Sequence, residues 1–263
     1  MTRSRTVHAL ASALSAAALL TCAACSDGDD SSGTGARDVA SASPLAAQTT
    51  APATLTQEGA RSALITEKDI EDDWTQVDDA ASWRDSLLIG TVDVNDFITG
   101  KSDAADCQQL MDRLYSEDLL GKPSGAPALR GFEEGDSRLL YQVASYDADA
   151  LSDSMDWLKS LPEKCDQFEM TGGDSGKRTV QVIEISVPDE GDARQGLRVT
   201  VKGTADGSAA TLTQEIAAVR VDDNAITVTA GGLDGVEDDS IEEAVENGTP
   251  RLEDVLAGKT PQS

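Results

Sequence analysis

Cysteine and histidine carry most nucleophilic and soft-metal chemistry, and this 263-residue chain has four of the first and one of the second: Cys22, Cys25, Cys107, Cys165 and His8. His8 lies in a stretch with a basic start, Thr2-Arg3-Ser4-Arg5, followed by small and apolar residues up to LSAAALLTCAACS at 14–26. That order of charge, apolar run and small residues reads as an export signal that is cut away. The mature protein then has no imidazole. Ser–His–Asp and Cys–His catalysis are excluded, and so are His-containing zinc, copper and non-haem iron sites.

The remaining chemistry-bearing motifs are weak. GDSG at 173–176 is the tetrapeptide around the nucleophile of trypsin-like proteases, but without histidine it reads as a turn between two strands. The same segment runs into Gly176-Lys177, yet Thr171 stands where a phosphate loop needs its first glycine, and Arg178 where it needs Ser or Thr. Acids cluster at Glu71-Asp72-Asp73, Asp222-Asp223 and Glu237-Asp238-Asp239. None has EF-hand spacing, and each sits near a turn or helix end where solvated acids are common. Paired carboxylates alone can hydrolyse glycosides, but a sugar cleft is usually lined with aromatics and the chain has only nine. The expectation is a protein that is not an enzyme, with no catalytic residue, no cofactor and no metal.

With Cys22 and Cys25 assigned to the signal, Cys107 and Cys165 remain. Two cysteines in an exported protein most simply form one disulfide. They are too far apart in sequence for a redox-active CxxC pair, and the bond leaves no free thiol.

The cysteines at the signal's end resemble the lipobox of bacterial lipoproteins, in which a cysteine at the cut becomes the lipid-modified first residue. Cys25 has Ala23-Ala24 before it and the acidic run Asp27-Gly28-Asp29-Asp30 just after, and is the expected attachment site. Cys22, preceded by Thr21, is the alternative. Residues 1–24 form the signal peptide in this reading, and 25–58, rich in Ser, Asp, Gly, Ala, Thr and Pro, a disordered tether of about 30 Å root-mean-square span. No later run approaches the roughly 20 apolar residues of a membrane-spanning helix. The expected location is the extracytoplasmic face of the cell membrane, held by lipid.

Charge narrows the partners. The whole chain carries −27, and removing two arginines with the signal leaves 19 Lys+Arg against 48 Asp+Glu, or −29. Such a field repels nucleic acid and anionic headgroups and attracts cations and basic surfaces.

Residues 59–263 read as a single domain. Thr66 with Asp69 three residues on caps a short helix ending before Trp74. Segment 86–98 is strand or loop. Cys107, Leu110, Met111 and Leu114 fall at i, i+3, i+4 and i+7, an amphipathic helix ended by Gly121. Two strand-like runs flank Glu134-Gly135-Asp136 as a hairpin. Asp147 caps a second helix with a Leu151, Met155, Leu158 stripe, stopped by Pro162, with Cys165 just beyond. The disulfide would therefore pin two helices to the same face of a sheet. From Phe168 onward four alternating runs predict an antiparallel meander with one wet face. Two short helices, the second opening at Thr249-Pro250, close the chain. All nine aromatics fall between Trp74 and Phe168, so a separate second-half domain would have a thin core. The fold class expected is α+β: an antiparallel β-sheet packed on one face by helices, with one disulfide, after a signal peptide and tether.

The order of parts has a family likeness. LITEKDIEDDW at 64–74, RLLYQVASYDADALSDSMDWLKSLPEKC at 138–165 and AVRVDDNAITVTAGG at 218–232 are followed by a C-terminal helix. This arrangement resembles actinobacterial lipoproteins related to the extracellular sensor domain of PknH-type serine/threonine kinases, over roughly residues 60–257. The resemblance implies an antiparallel sheet backed by helices with a cleft for an unidentified ligand. It departs from the kinase sensors, which carry two disulfides, and it supplies no site residues. The expected function is a lipid-anchored, sensor-like or small-ligand-binding module of the cell envelope. Alternatives are an acidic protein that binds an envelope protein partner, and a histidine-free carboxylate hydrolase.

Overall fold

The alternation of apolar and polar residues in the second half builds long antiparallel strands, and helices from before and after those strands cover the sheet they form. The structure, a computed structural model, describes residues 54–70, 73–78, 80, 101–102, 104–114, 118–135, 137–171, 177–205, 207–233 and 239–261. The signal, Cys22, Cys25, most of the tether, segment 86–98 and the GDSG turn lie outside the described residues.

Among the described residues there are four α-helices: α1 Gln57–Ser62, α2 Ala105–Leu114, α3 Ala148–Lys164 and α4 Ser240–Leu256. The strands are β1 Thr75–Val77, β2 Lys101–Ser102, β3 Ala128–Glu134, β4 Ser137–Ser145, β5 Gln167–Thr171, β6 Arg178–Ile185, β7 Ala193–Ala205, β8 Ser208–Val221 and β9 Asn224–Gly232. They form one nine-stranded sheet in the order β1-β3-β4-β9-β8-β7-β6-β5-β2, with each pairing antiparallel. β6 to β9 are the expected meander. Its tightest link turns at Asp222-Asp223, where Asp222 takes a left-handed φ of 53° and its N–H donates to the Asp192 carboxylate. That acid pair therefore makes a turn.

The α+β class, the antiparallel sheet and the disulfide are as expected, but the helices are not confined to one face. Alternate residues of β8 point oppositely: Leu212, Ile216 and Ala218 pack with α2 and α3, while Ala217, Val219 and Val221 pack with α1 and α4. The central strands are thus buried on both sides, and β9 is buried along its whole length. Exposed side chains of the wet face expected of the meander remain at Gln181 and Ile183 of β6, at Lys202 and Thr204 of β7 and at Thr211 of β8, with Glu169 exposed on β5.

On the first face, Cys107, Leu110, Met111 and Leu114 of α2 are all buried, as are Leu151, Met155, Leu158 and Leu161 of α3. Asp147 caps α3 by accepting from the Ala150 N–H at 3.2 Å. Pro162 does not stop this helix. It sits in the last turn, and the helix runs on to Lys164, with the Cys165 N–H donating to the Leu161 carbonyl. The Cys107–Cys165 disulfide joins the two helices across a Cα–Cα distance of 5.6 Å, and Arg113 of α2 stacks 4.9 Å above the Trp157 ring of α3.

On the second face, the two expected C-terminal helices are one. Gly248 and Pro250 lie inside α4, where their intrinsic preferences are overridden by packing. The reason is local: a Cβ at position 248 would stand 2.1 Å from the Tyr141 hydroxyl, so only glycine lets α4 lie this close to β4. Thr66 opens a single 3-10 turn, Glu67–Asp69, in place of a longer helix. The Asp69 carboxylate accepts from the Thr66 N–H at 2.7 Å and its hydroxyl at 2.8 Å, and pairs with Arg251 of α4 at 3.3 Å. Beside it Arg130 donates to the Ile65 carbonyl at 2.7 Å. Burial, then the charge of Arg251, lowers the pKa of Arg130, with Asp69 opposing. The first helix starts at Gln57, capped by Thr56, two residues ahead of the expected domain start at 59.

Candidate functional site

A cleft lies on the α2–α3 face, where α3 leans over the far end of β6 and the start of β7. Its volume is about 730 Å³. The helix contributes Met155, Asp156 and Lys159, one turn of its outward edge. Glu184 to Val187 and Ala193 to Gly196 form the sheet side. The cleft exists because β6 and β7 part here: β6 leaves its ladder after Ile185, and a loop through Pro188 leads back to Ala193. Gly196 is part of this geometry. A Cβ there would fall 2.6 Å from the Ile185 carbonyl oxygen and 2.7 Å from a Val187 methyl, so a larger residue would push the strand end outward.

Both signs of charge line the opening. Lys159 and Asp156 stand on the helix side, with Glu184 and Arg194 on the sheet side. Arg194 pairs with Asp189 at 2.5 Å. Gln195, 5% exposed, donates from its amide to Glu184 at 3.4 Å and to the Gly196 carbonyl at 3.1 Å, which orients its side chain at the cleft wall. Met155, Val187 and Ala193 add apolar surface. The cleft is a charged rim over a small apolar floor, suited to a ligand with polar ends.

Among the described residues no group of three or more His, Cys, Asp or Glu side chains is placed to hold a metal ion. Cys107 is fully buried, Cys165 is 1% exposed, and both are consumed in the disulfide. Cys25, the expected lipid site, lies outside the described residues. Among the described residues no helix is long and apolar enough to cross a membrane. Sequence reading did not single out the cleft residues, because Asp156, Lys159 and Glu184 look like any solvated charge on a helix or strand until the parting of β6 and β7 brings them together.

No family model matches the chain, and no curated protein matches it. Among solved structures, the chain is similar to the extracellular domain of PknH from Mycobacterium tuberculosis, with a TM-score of 0.40 and 11% identity over 80% of this chain and 99% of that one. It is also similar to the Rv0999 ortholog from Mycobacterium smegmatis, with a TM-score of 0.37 and 15% identity over 77% of this chain and 97% of that one. Both likenesses concern the course of the backbone, and neither supplies a ligand or a residue for the cleft.

Proposed function

We propose that this chain is an extracytoplasmic lipoprotein, anchored through Cys25, whose folded domain is a non-catalytic, sensor-like binding module of the cell envelope. The observation that carries the binding reading is the cleft under α3, where Lys159 and Asp156 face Glu184 and Arg194 across about 730 Å³. That volume is within the range of ligand sites, which combine an apolar lining with a few convergent polar groups. The buried disulfide fits an oxidising compartment outside the cytoplasm. The signal-like start with its terminal cysteines fits lipid attachment, and the acidic tether would lift the domain off an anionic surface.

Native mass spectrometry of the full protein purified from its own envelope tests the binding reading. The expected result is a bound molecule whose abundance changes when Lys159→Glu reverses the charge at the rim. A wild-type spectrum with the bare protein alone, identical to that of the variant, overturns it. Acylation is tested separately: Cys25→Ala abolishes lipid attachment, whereas retained lipid moves the assignment to Cys22.

A further inference from the structure

β5 covers only the first half of β6. The register pairs Gln167 with Gln181 and Met170 with Arg178, and the last contact is the Val182 N–H donating to the Asp166 carbonyl at 3.2 Å. Among the described residues nothing pairs with β6 beyond Val182 on that side. N–H and C=O groups of successive strand residues point to opposite sides. Val182 points away from β7, so Ile183 points toward it and Glu184 points away again, presenting an unpaired backbone N–H and C=O at an open sheet edge. Ile183, 39% exposed, is the exposed large hydrophobic residue of the described chain, and Glu184 and Ser186 are exposed beside it. Sheets normally protect such an edge. Here it runs along the cleft under α3.

Resting on the binding reading above, we infer that the cleft takes an extended, basic peptide segment, which adds as a strand to the free edge of β6 from Ile183 to Ile185. Peptide addition to a sheet edge draws affinity from main-chain hydrogen bonds and specificity from side-chain pockets. Three residues of strand span about 10 Å, and the outward backbone N–H and C=O of Glu184 lie at their centre. Charge selects the occupant. The cleft and its loop place Asp156, Glu184 and Asp189 against Lys159 and Arg194, and the chain as a whole carries −27. A second copy pairing edge to edge would bring the same excess of acid against itself, whereas a lysine- or arginine-bearing strand complements it. Alternate side chains of the added strand would meet Met155 and Asp156 of α3 on one side and Ile183 on the other.

The test is fluorescence anisotropy with the full protein and two synthetic ten-residue peptides of alternating Val with Lys or with Glu, alongside amide hydrogen exchange. The Lys peptide is expected to bind, the Glu peptide not, and binding is expected to weaken severalfold from about 0.01 M to about 1 M salt. The Glu184 amide should gain protection in the complex. N-methylation of alternate peptide amides, which leaves the protein untouched, should weaken binding by about tenfold. Glu184→Pro, which removes an outward N–H and spares the ladder to β7, should do the same. Binding indifferent to N-methylation, with no protection at Glu184, overturns the strand-addition inference. So does a stable homodimer that protects Glu184 without peptide. If the Lys peptide fails while a bound molecule sensitive to Lys159→Glu is seen by mass spectrometry, the inference falls and the binding reading stands; if both fail, both fall.

Discussion

The two faces of the sheet bury comparable sets of strand residues, but the elements that cover them are joined in different ways. The α2–α3 face is closed by neighbours in sequence, tied by the Cys107–Cys165 bond and filled with interlocking Leu, Met and Val. The α1–α4 face is closed by helices from opposite ends of the described chain. What holds it is fit: Tyr141 against Gly248, Trp74 donating to Ser240 at 3.1 Å, and the Asp69–Arg251 pair with Asn247 donating to the Asp69 carbonyl at 2.9 Å. A covalent staple limits how far the unfolded chain can wander, whereas a close-packed contact acts only in the folded state. The cleft opens on the stapled side, where α3 is held at its C-terminal end by Cys165, so one end of the helix can overhang without the helix being lost.

The largest test of this contrast is removal of the staple. The paired variant Cys107→Ser with Cys165→Ser is expected to lose about 4 kcal/mol, from the chain-entropy value for a loop of this length. The bond closes a sequence separation of 58 residues. Urea unfolding of the variant against the oxidised wild type measures it, and an unchanged midpoint would mean that the packing of α2 and α3 suffices.

Next comes the fitted face. Gly248→Ala is expected to cost about 3 kcal/mol, since the added methyl must displace Tyr141 or α4. Tyr141→Phe alone should be nearly neutral, because the buried hydroxyl has no hydrogen-bond partner. Combining the two should recover part of the loss, and a double variant no more stable than Gly248→Ala would place the clash elsewhere. Asp69→Ala should cost about 2 kcal/mol by removing the cap on Thr66 and leaving Arg251 half-buried without its carboxylate; thermal unfolding reads it.

The smallest effect is alkaline, and each face has one reporter. Burial raises the phenol pKa of Tyr141 on the α4 face, with Arg251 opposing and Asp69 reinforcing, and burial, helped by Asp118, raises that of Tyr146 on the other. In the unfolded chain both lose their protons near pH 10. The folded state keeps them, so their contribution is whole below about pH 10 and declines as pH rises above it. Stability against pH should therefore fall above that point, less steeply in Tyr141→Phe and Tyr146→Phe. Ultraviolet absorbance of the folded protein should show both phenols still neutral.

How much of this was legible depended on the range of the interactions. The stripes Cys107-Leu110-Met111-Leu114 and Leu151-Met155-Leu158, the Asp147 cap and the four late strands are local patterns, and the structure carries them all. Gly248 and Pro250 mark a break locally, but packing against Tyr141, far away in sequence, keeps α4 whole. Pro162 reads as a stop, yet it removes a single helical hydrogen bond, the one to the Leu158 carbonyl, and the helix runs on to Lys164. Burial of β8 and β9 on both faces shows in the sequence only as Ala217-Ala218-Val219 and Ala225-Ile226, short apolar runs that a one-faced strand would not need. The cleft was illegible because it depends on where β6 and β7 part, a matter of register that no spacing of charges reveals.

The strand order also sets a sequence of events in assembly. β3 and β4 form a hairpin early in the chain, but the partner of β4 is β9: Arg138 lies opposite Gly231 and Ser145 opposite Asn224. A chain made from its N-terminus exposes the apolar β4 edge, with Tyr141 and Val143, while the whole meander is still to come. The late strands can zip as successive hairpins, but this seam closes over a longer intervening stretch than β1 with β3 or β2 with β5 and is the slow step by loop-closure entropy. A chain truncated within β9 would leave two unsatisfied inner edges in place of one seam, and nascent or clipped forms should aggregate through them.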